Sequence, residues 1–226
     1  MTTVSSLTLR SGHGILGNEG PSGDTPRQVN IGLADSLATH GVSQQGARCN
    51  IILSGQLSPD FGPGAVIRIR EAVLRVTMPC EPCTYGAGMA NVRTSRFRLI
   101  ERYLAIVQHG GILTIGDTPS IQLGVYPSVP GDFRSRCAWA LDFIPRGHVV
   151  GALDFLNAIG AGKAYARTLP RWMASAKIQG KPVHRVLTTN LTAPSWCPEA
   201  RTLLTQEQTP PHLPDARFDL MRALWF

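Results

Sequence analysis

The sequence predicts two domains: a β-rich barrel, followed by a small, mainly α-helical domain with a winged-helix-like, helix-turn-helix layout. Short runs of β-branched residues and many glycines fill the first half of the chain. Helical spacing of apolar residues dominates the second half. Between them, residues 126–131 contain two prolines and a glycine, which interrupt both patterns. We therefore predict domains over 1–125 and 133–226, joined by a linker over 126–132.

Three segments of the first half have the character of β-strands. Residues 66–70 and 73–77 are rich in valine and isoleucine and are separated by a two-residue break. Residues 112–115, followed by Gly116 and Asp117, predict the last strand of this domain and its turn. Short strands with frequent glycine turns are typical of a mixed barrel.

The second half has three segments with helical spacing. They cover residues 133–143, 149–159 and 163–173. Gly160 and Gly162 lie between the second and third segments, so the order is helix, glycine-containing turn, helix. Pro170 lies within the third segment, and we expect it to kink that helix or to end it early.

Composition limits the classes of protein to consider. The chain has 226 residues, of which 43% are apolar, as in ordinary globular proteins. The start of the chain has neither a basic region nor an apolar run, and no apolar stretch is long enough to cross a bilayer. Five cysteines, an odd number, argue against a disulfide framework. We expect a soluble, cytoplasmic protein with no membrane partner.

The positive charge is unevenly distributed. The net charge is +7, of which residues 1–125 contribute +2 and residues 126–226 contribute +5. Seven basic residues and a single acid lie between Arg146 and Arg185. Such a cluster suits a polyanion such as nucleic acid, whereas the alternative is a solvated basic face.

A series of short motifs in the second half follows a recognisable order. The motifs are 143–150 (FIPRGHVV), 159–160, Lys163, Arg167, 181–186 (KPVHRV), 203–204 and Glu207. This order resembles alkylguanine-DNA alkyltransferases over residues 133–226. The ending, 216–225, is similar to that of the alkyltransferase-like proteins, which lack the acceptor cysteine. Val183 stands at the acceptor position here, and a valine cannot accept an alkyl group, so we expect no methyltransferase activity.

The resemblance implies binding to the minor groove of double-stranded DNA and extrusion of an alkylated guanine. Arg167 would enter the base stack, although it could instead be a phosphate contact or a surface charge. The other residues implied to contact DNA are Lys163, Tyr165, Arg171, Lys181 and Arg185. Val183, His184 and Glu207 would line the lesion pocket, unless Val183 simply fills core. Excision-repair proteins are implied as further partners.

Motifs of the first half resemble the MOSC domain over residues 5–123. They are 14–17 (GILG), 27–29 (RQV), 47–51 (ARCNI), 64–69 (GAVIRI), 80–85 (CEPCTY) and 110–117 (GGILTIGD). The resemblance implies a molybdenum-pterin cofactor or a sulfur carrier. Cys83 matches the recurring cysteine of that family, which would carry sulfur or ligate molybdenum. Arg27, Arg48 and Asn50 would bind the cofactor, since arginine forks match phosphate oxygens.

The pair formed by Cys80 and Cys83 also admits other interpretations, half of a zinc site or a redox pair. Zinc requires more ligands, and the sequence contains no second pair of this spacing.

Two functions follow from these resemblances. The first is non-catalytic recognition of alkylated guanine by base flipping, joined to a MOSC domain that binds molybdenum cofactor or carries sulfur. The alternative is a MOSC-type molybdenum or sulfur-transfer enzyme acting on N-hydroxylated bases, with the C-terminal domain targeting it to nucleic acid. A third interpretation is an inert interaction scaffold.

Overall fold

The computed structural model describes residues 4–17, 25–81 and 84–226, and these residues divide into two units. The N-terminal unit takes in 4–17 and 27–129. The C-terminal unit takes in 25–26 and 130–226. Among the described residues, none of the helices is long and apolar enough to cross a membrane.

Short strands and short helices alternate in the N-terminal unit. The strands are β1 (Ser6–Arg10), β2 (Gly14–Ile15), β3 (Val29–Leu33), β4 (Ile51–Leu53), β5 (Val66–Ile69), β6 (Ala72–Pro79), β7 (Arg102–His109), β8 (Gly111–Thr114) and β9 (Ser120–Gln122). The helices are α1 (Ala34–Thr39), α2 (Gln44–Ala47), α3 (Thr84–Met89) and α4 (Thr94–Phe97).

The strands form two sheets. The larger has the order β4-β3-β7-β6-β5-β9, and the smaller has the order β2-β1-β8. Only the β3–β4 pair is parallel in the larger sheet as described, and the other neighbours are antiparallel. The β-rich prediction is therefore confirmed. The described strands of the larger sheet leave it open, with β4 and β9 at its edges, where the sequence suggested a barrel.

The predicted strands over 66–70 and 73–77 are present as β5 and β6. The segment 112–115 corresponds to β8, but the prediction that it is the last strand is wrong, because β9 follows and pairs with β5. The intervening turn uses Gly116 at φ +92°, and the Asp117 carboxylate accepts the backbone N–H of Thr114.

Buried apolar residues of the strands build the core on the larger sheet. In β5, Val66, Ile67 and Ile69 are buried while Arg68 is exposed. Helices α1 to α4 contribute to a second apolar cluster, separate from the first. Its buried members are Leu37, Val42, Ala47, Cys49, Ala87, Phe97 and Ile100.

The C-terminal unit is mainly helical, as the sequence predicts. Its α-helices are α5 (Phe133–Leu141), α6 (Ala152–Ala158), α7 (Leu169–Ile178), α8 (Ala200–Gln206) and α9 (Leu220–Trp225). Three 3-10 helices cover Lys163–Arg167, Val183–Arg185 and Leu213–Ala216. Two short strands, β10 (Val150–Gly151) and β11 (Val186–Leu187), pair in parallel.

Two helix predictions in this unit are wrong in detail. Val149 forms an isolated bridge with Arg217, and Val150 belongs to β10, so α6 begins only at Ala152. This agrees with the strand preference of β-branched residues. The predicted helix 163–173 is divided into the 3-10 segment and α7. Pro170 lies in the first turn of α7, where its missing N–H costs no hydrogen bond, so it neither kinks nor ends the helix.

A buried arginine organises the C-terminal unit. Arg136 on α5 is fully buried, and its guanidinium donates to the carbonyls of Pro130 (3.0 Å), Gly131 (2.8 Å) and Ile159 (2.8 Å). These carbonyls lie before α5 and at the end of α6, so this side chain on α5 connects both of those segments to its own helix.

Gly32 on β3 gives a direct test of the packing between the sheet and the helical cluster. An added Cβ would lie 2.6 Å from the sulfur of the buried Cys49. We expect Gly32→Ala to destabilise the fold by about 1–3 kcal/mol, because the core must move to admit one methyl group. Chemical unfolding of purified variants measures this loss.

Two variants make that measurement specific. Gly131→Ala adds a Cβ with no atom within 4 Å, so its unfolding midpoint should stay unchanged. Adding Cys49→Ala to Gly32→Ala removes the sulfur and should recover most of the loss relative to Cys49→Ala alone. An undiminished loss in the double variant contradicts the assignment.

Candidate functional site

The first candidate site surrounds Cys80, where the chain leaves β6. The backbone N–H of Cys80 donates to the carbonyl of Arg102 at 2.8 Å, and its side chain is half-buried. The next residue, Glu81, forms an ion pair with Arg27 at 3.2 Å. This pair connects the segment before β3 to the segment after β6. Cys83, the predicted catalytic cysteine and molybdenum ligand, lies outside the described residues.

The predicted cofactor ligands Arg48 and Asn50 lie in the connection between α2 and β4. The side-chain oxygen of Asn50 accepts the backbone N–H of Asn30 at 2.8 Å. The amide group of Asn30 donates to the carbonyl of Arg48 at 3.1 Å. Arg48 has a left-handed backbone (φ 55°) and an exposed side chain. Asn50 therefore fixes the turn that carries the exposed Arg48 side chain.

The turn also contains an unsatisfied acceptor. The side-chain oxygen of Asn30 is buried and has no hydrogen-bond partner among the described residues. A buried acceptor without a partner is costly and marks a position where a donor from a bound molecule would be stabilising.

Arg102, at the start of β7, is a buried cation beside this site. It is only 5% exposed, and its guanidinium carbon lies 4.0 Å from the centre of the Phe97 ring. One terminal nitrogen donates to the carbonyl of Ala47 at 3.4 Å, while Nε has no partner among the described residues. The sequence pattern does not single out Arg102, because an arginine at the start of an apolar strand resembles a surface residue.

Cys49 differs from Cys80 in its environment. Burial raises the pKa of the Cys49 thiol to about 12, which outweighs the opposing effect of the Arg102 charge, and Cys80 raises it further. Cys49 is therefore a neutral, structural thiol at physiological pH. Cys80 is half-buried, so of these two thiols it is the more accessible one.

A metal at this site could not rely on a cluster of protein ligands drawn from the described residues. Within 4–17, 25–81 and 84–226, no three His, Cys, Asp or Glu side chains converge as a metal-binding group. A metal carried by an organic cofactor needs only one protein thiol, so the donor set is compatible with that second type of site.

The second candidate site is the basic segment of the C-terminal unit, which we define as Lys163, Arg167 and Arg171. All three side chains are exposed, and none forms an ion pair with a residue that the structure describes. Arg167, the predicted intercalating residue, ends the 3-10 helix, and Arg171 lies in the first turn of α7. The segment therefore keeps its positive charge available to solvent.

The two other predicted DNA contacts with basic side chains are engaged within the unit. Lys181 pairs with Asp142 at 2.5 Å. Arg185 makes a bidentate pair with Glu207 and donates to the carbonyl of Ile144 at 2.7 Å. The geometry of Arg185 is that of a structural ion pair, which reduces the capacity of its guanidinium to hold phosphate.

The predicted lesion pocket contains a compact ion-pair network. His184 Nε2 lies 2.9 Å from Glu207 Oε1, and the backbone N–H of Gly147 donates to the other carboxylate oxygen at 3.4 Å. Burial opposes ionisation of Glu207, but hydrogen bonds from Arg185 and His184 and their charges outweigh it and hold its pKa at about 2. Glu207 is thus a fixed negative charge that orients His184.

Val183 is only 2% exposed and belongs to the buried apolar residues of this unit. A cavity of about 510 Å³ also lies in this unit. It is lined by Gly151, Leu153, Asp154, Asn157, Gly162, Lys163, Thr189 and Arg217. The predicted pocket residues Val183, His184 and Glu207 are not among them. Lys163 therefore belongs to the basic segment and also lines the cavity.

No protein-family model matches the chain. No curated protein matches it either. Among solved structures, the YUAD protein from Bacillus subtilis is 19% identical with a TM-score of 0.45, over 55% of this chain and 87% of that one. The YiiM protein from Escherichia coli is 16% identical with a TM-score of 0.41, over 78% and 87%. YiiM from Geobacillus stearothermophilus is 13% identical with a TM-score of 0.36, over 80% of each chain.

The Glu207 network predicts a specific acid dependence of stability. Because the folded-state pKa of Glu207 lies below its ordinary value of 4.5, its contribution is complete above about pH 4.5 and is lost as the pH falls towards 2. We expect Glu207→Gln to lower stability at pH 7 by about 1.5–3 kcal/mol, the usual loss for hydrogen bonds to charged groups.

Urea unfolding of both proteins between pH 2 and pH 7 tests this expectation. The two stability curves should converge at the acid end, because the wild-type carboxylate is then protonated as well. Parallel curves, with a constant difference at every pH, would contradict the assigned pKa. Asp215→Asn, which alters an exposed carboxylate, serves as the control.

Proposed function

We propose that the N-terminal unit is a MOSC-type module that binds a phosphate-bearing molybdenum-pterin cofactor and presents a thiol of the segment 80–83 to the metal. The observation that carries the proposal is the network that joins Cys80 to Arg102 and its neighbour Glu81 to Arg27. The backbone of Arg102 thus holds Cys80 where the chain leaves the sheet, and the Arg27 guanidinium lies against the next residue.

The donor types present fit such a cofactor. A guanidinium group provides paired N–H donors for phosphate oxygens, and Arg48 supplies one from the turn that Asn30 also holds. The buried side-chain oxygen of Asn30 has no hydrogen-bond partner among the described residues. A cysteine thiolate is a soft ligand of the kind that molybdenum accepts. We assign phosphate binding to Arg27 and Arg48, and Glu81 offsets part of the charge of Arg27. When bound, the cofactor would supply two-electron chemistry at the metal.

We further infer that the substrate class is N-hydroxylated bases, with the C-terminal unit serving as a nucleic-acid targeting module. The support for this step is the basic segment, since a free base would need no polyanion-binding surface. In this proposal the residues of the N-terminal unit hold the cofactor and its thiol ligand, while Lys163, Arg167 and Arg171 contact phosphates.

Cofactor content is the decisive measurement for the first proposal. Protein purified from a host that synthesises the cofactor should contain molybdenum and pterin in near-stoichiometric amounts. We expect Cys83→Ala to lose the metal thiolate signature while retaining pterin, and Arg48→Ala to reduce pterin content about tenfold. Elemental analysis and pterin fluorescence after release quantify both.

Arg68→Ala is the matched control, because it removes an exposed arginine from β5, which is separated from β3 by two strands. Its cofactor content should equal that of the wild type. Wild-type protein free of molybdenum and pterin after expression in the competent host would exclude the proposal.

A second function, nucleic-acid binding by the C-terminal unit, is favoured by the unpaired basic segment. Each phosphate that a basic side chain neutralises releases condensed counterions, so binding weakens with salt in proportion to the number of contacts.

Recognition of alkylated guanine is the more specific form of this proposal. It requires tighter binding to a methylguanine duplex than to its unmodified twin. If the two duplexes bind with nearly equal affinity, and Arg167→Ala leaves their affinity ratio unchanged, lesion recognition is contradicted. Phosphate binding is not affected by that result.

The salt dependence of DNA affinity tests the basic segment directly. We expect replacement of Lys163, Arg167 and Arg171 together by glutamine to reduce the slope of log affinity against log salt by about 2–3. Lys177→Gln is the control, because Lys177 already pairs with Glu199, and its slope should change little. Fluorescence anisotropy between about 50 and 200 mM salt gives the slopes. An unchanged slope in the triple variant would contradict the assignment.

A further inference from the structure

Three aromatic rings form a packed cluster on the C-terminal unit, which we call the aromatic cluster: Phe133, Tyr165 and Trp172. The ring centres of Phe133 and Tyr165 lie 4.5 Å apart, and Trp172 lies 5.7 Å from each of them. The planes of Tyr165 and Trp172 are inclined by 30°, and those of Phe133 and Trp172 by 21°, so both pairs are stacked. Tyr165 is 38% exposed, which makes it the part of the cluster most open to solvent.

The cluster is held on a rigid base. The guanidinium carbon of the buried Arg136 lies 5.0 Å from the centre of the Phe133 ring, and that guanidinium is fixed by three backbone carbonyls. Trp172 is buried in α7 beside Met173. A ring platform with a fixed orientation loses little conformational entropy when another flat group stacks on it.

Basic residues flank each ring of the cluster in the sequence. Lys163 and Arg167 lie two residues before and two residues after Tyr165, and Arg171 precedes Trp172. Arg134 follows Phe133, and its guanidinium donates to the hydroxyl of Ser175, a neutral partner, at 2.9 and 2.6 Å. All four cations are therefore close in sequence to a ring of the cluster, and none of them forms an ion pair with a described residue.

The acid nearest in sequence to these cations is already engaged. The carboxylate of Asp132 accepts the backbone N–H of Ser135 at 2.9 Å, and this interaction holds the pKa of Asp132 below its usual range. It caps α5, so its negative charge is directed towards the positive end of that helix. The partner that fits this surface must combine a flat apolar face with negative charge on either side of it.

An unpaired nucleotide has that combination. Its base offers a π-face, and its flanking phosphates carry the charge, whereas the faces of bases within a duplex are covered by their neighbours. We propose that the aromatic cluster is a stacking surface for unpaired bases, so that the C-terminal unit binds single-stranded nucleic acid in preference to duplex. This inference rests on the nucleic-acid function proposed above for the basic segment, and it adds the kind of strand recognised.

Fluorescence anisotropy with the full-length protein tests the proposal. The probes are labelled oligo(dT) and oligo(rU) of about 12 nucleotides, within the usual site size of such proteins, and a blunt duplex of equal length. We expect the single strand that binds better to have at least about tenfold higher affinity than the duplex. The comparison of oligo(dT) with oligo(rU) then identifies DNA or RNA as the natural strand, since stacking itself does not require the 2′-hydroxyl.

Variants of Tyr165 separate stacking from charge. Tyr165→Ala should weaken single-strand binding about 5- to 150-fold, the effect of losing one stacked base, while leaving duplex binding unchanged. Tyr165→Phe keeps the ring and should restore the affinity, which excludes a general folding defect. Phe226→Ala removes an exposed ring outside the cluster and should have no effect.

The outcomes distinguish this inference from the one on which it rests. Equal affinity for single strand and duplex, with no effect of Tyr165→Ala but a reduced salt slope in the triple glutamine variant, would overturn stacking and leave phosphate binding intact. Failure to bind any of the three probes at low salt would overturn both.

Discussion

The C-terminal unit depends on a cation that has no access to water. A guanidinium group without solvent must find acceptors within the protein, and Arg136 finds them in the carbonyls of Pro130, Gly131 and Ile159. Because these acceptors belong to the entry into α5 and the end of α6, satisfying one side chain fixes the two helices together. The Phe133 ring then packs against the same guanidinium, so the position of the aromatic cluster follows from a buried hydrogen-bonding requirement.

The N-terminal unit contains a comparable arrangement at the start of β7, but an incomplete one. Arg102 is almost as buried as Arg136, yet it makes one long hydrogen bond to a carbonyl and stacks on Phe97. Its Nε remains without a partner among the described residues. A cation whose hydrogen bonds are incomplete makes its surroundings favourable for an anion. The backbone carbonyl of Arg102 holds Cys80, so this environment lies beside the cysteine segment.

Local patterns and long-range contacts differ in how far the sequence predicts them. The strands β5 and β6 were predictable because branched residues within a few positions define them. The predicted effect of Pro170 was wrong because helical spacing does not show where a helix begins. A proline is well tolerated in the first turn of a helix, which is where Pro170 lies. The burial of Arg102 and Arg136 could not be recognised from the sequence, because their acceptors are distant along the chain. One carbonyl that Arg136 contacts is 23 residues away, and the carbonyl that Arg102 contacts is 55 residues away. Cys83 could be proposed from its motif alone.

The same limit applies to the basic run between Arg146 and Arg185. The sequence does not distinguish its seven cations from one another, but in the folded unit four of them have internal partners. Arg146 donates to the carbonyl of Gln206, and Lys177, Lys181 and Arg185 pair with carboxylates. The three that remain without an ion pair to a described residue are Lys163, Arg167 and Arg171, the ones that lie next to Tyr165 and Trp172 in the chain. Charge that has no ion-pair partner among the described residues and lies close in sequence to the exposed ring of Tyr165 is a stronger indication of a binding surface than net charge, because pairing within the fold does not neutralise it.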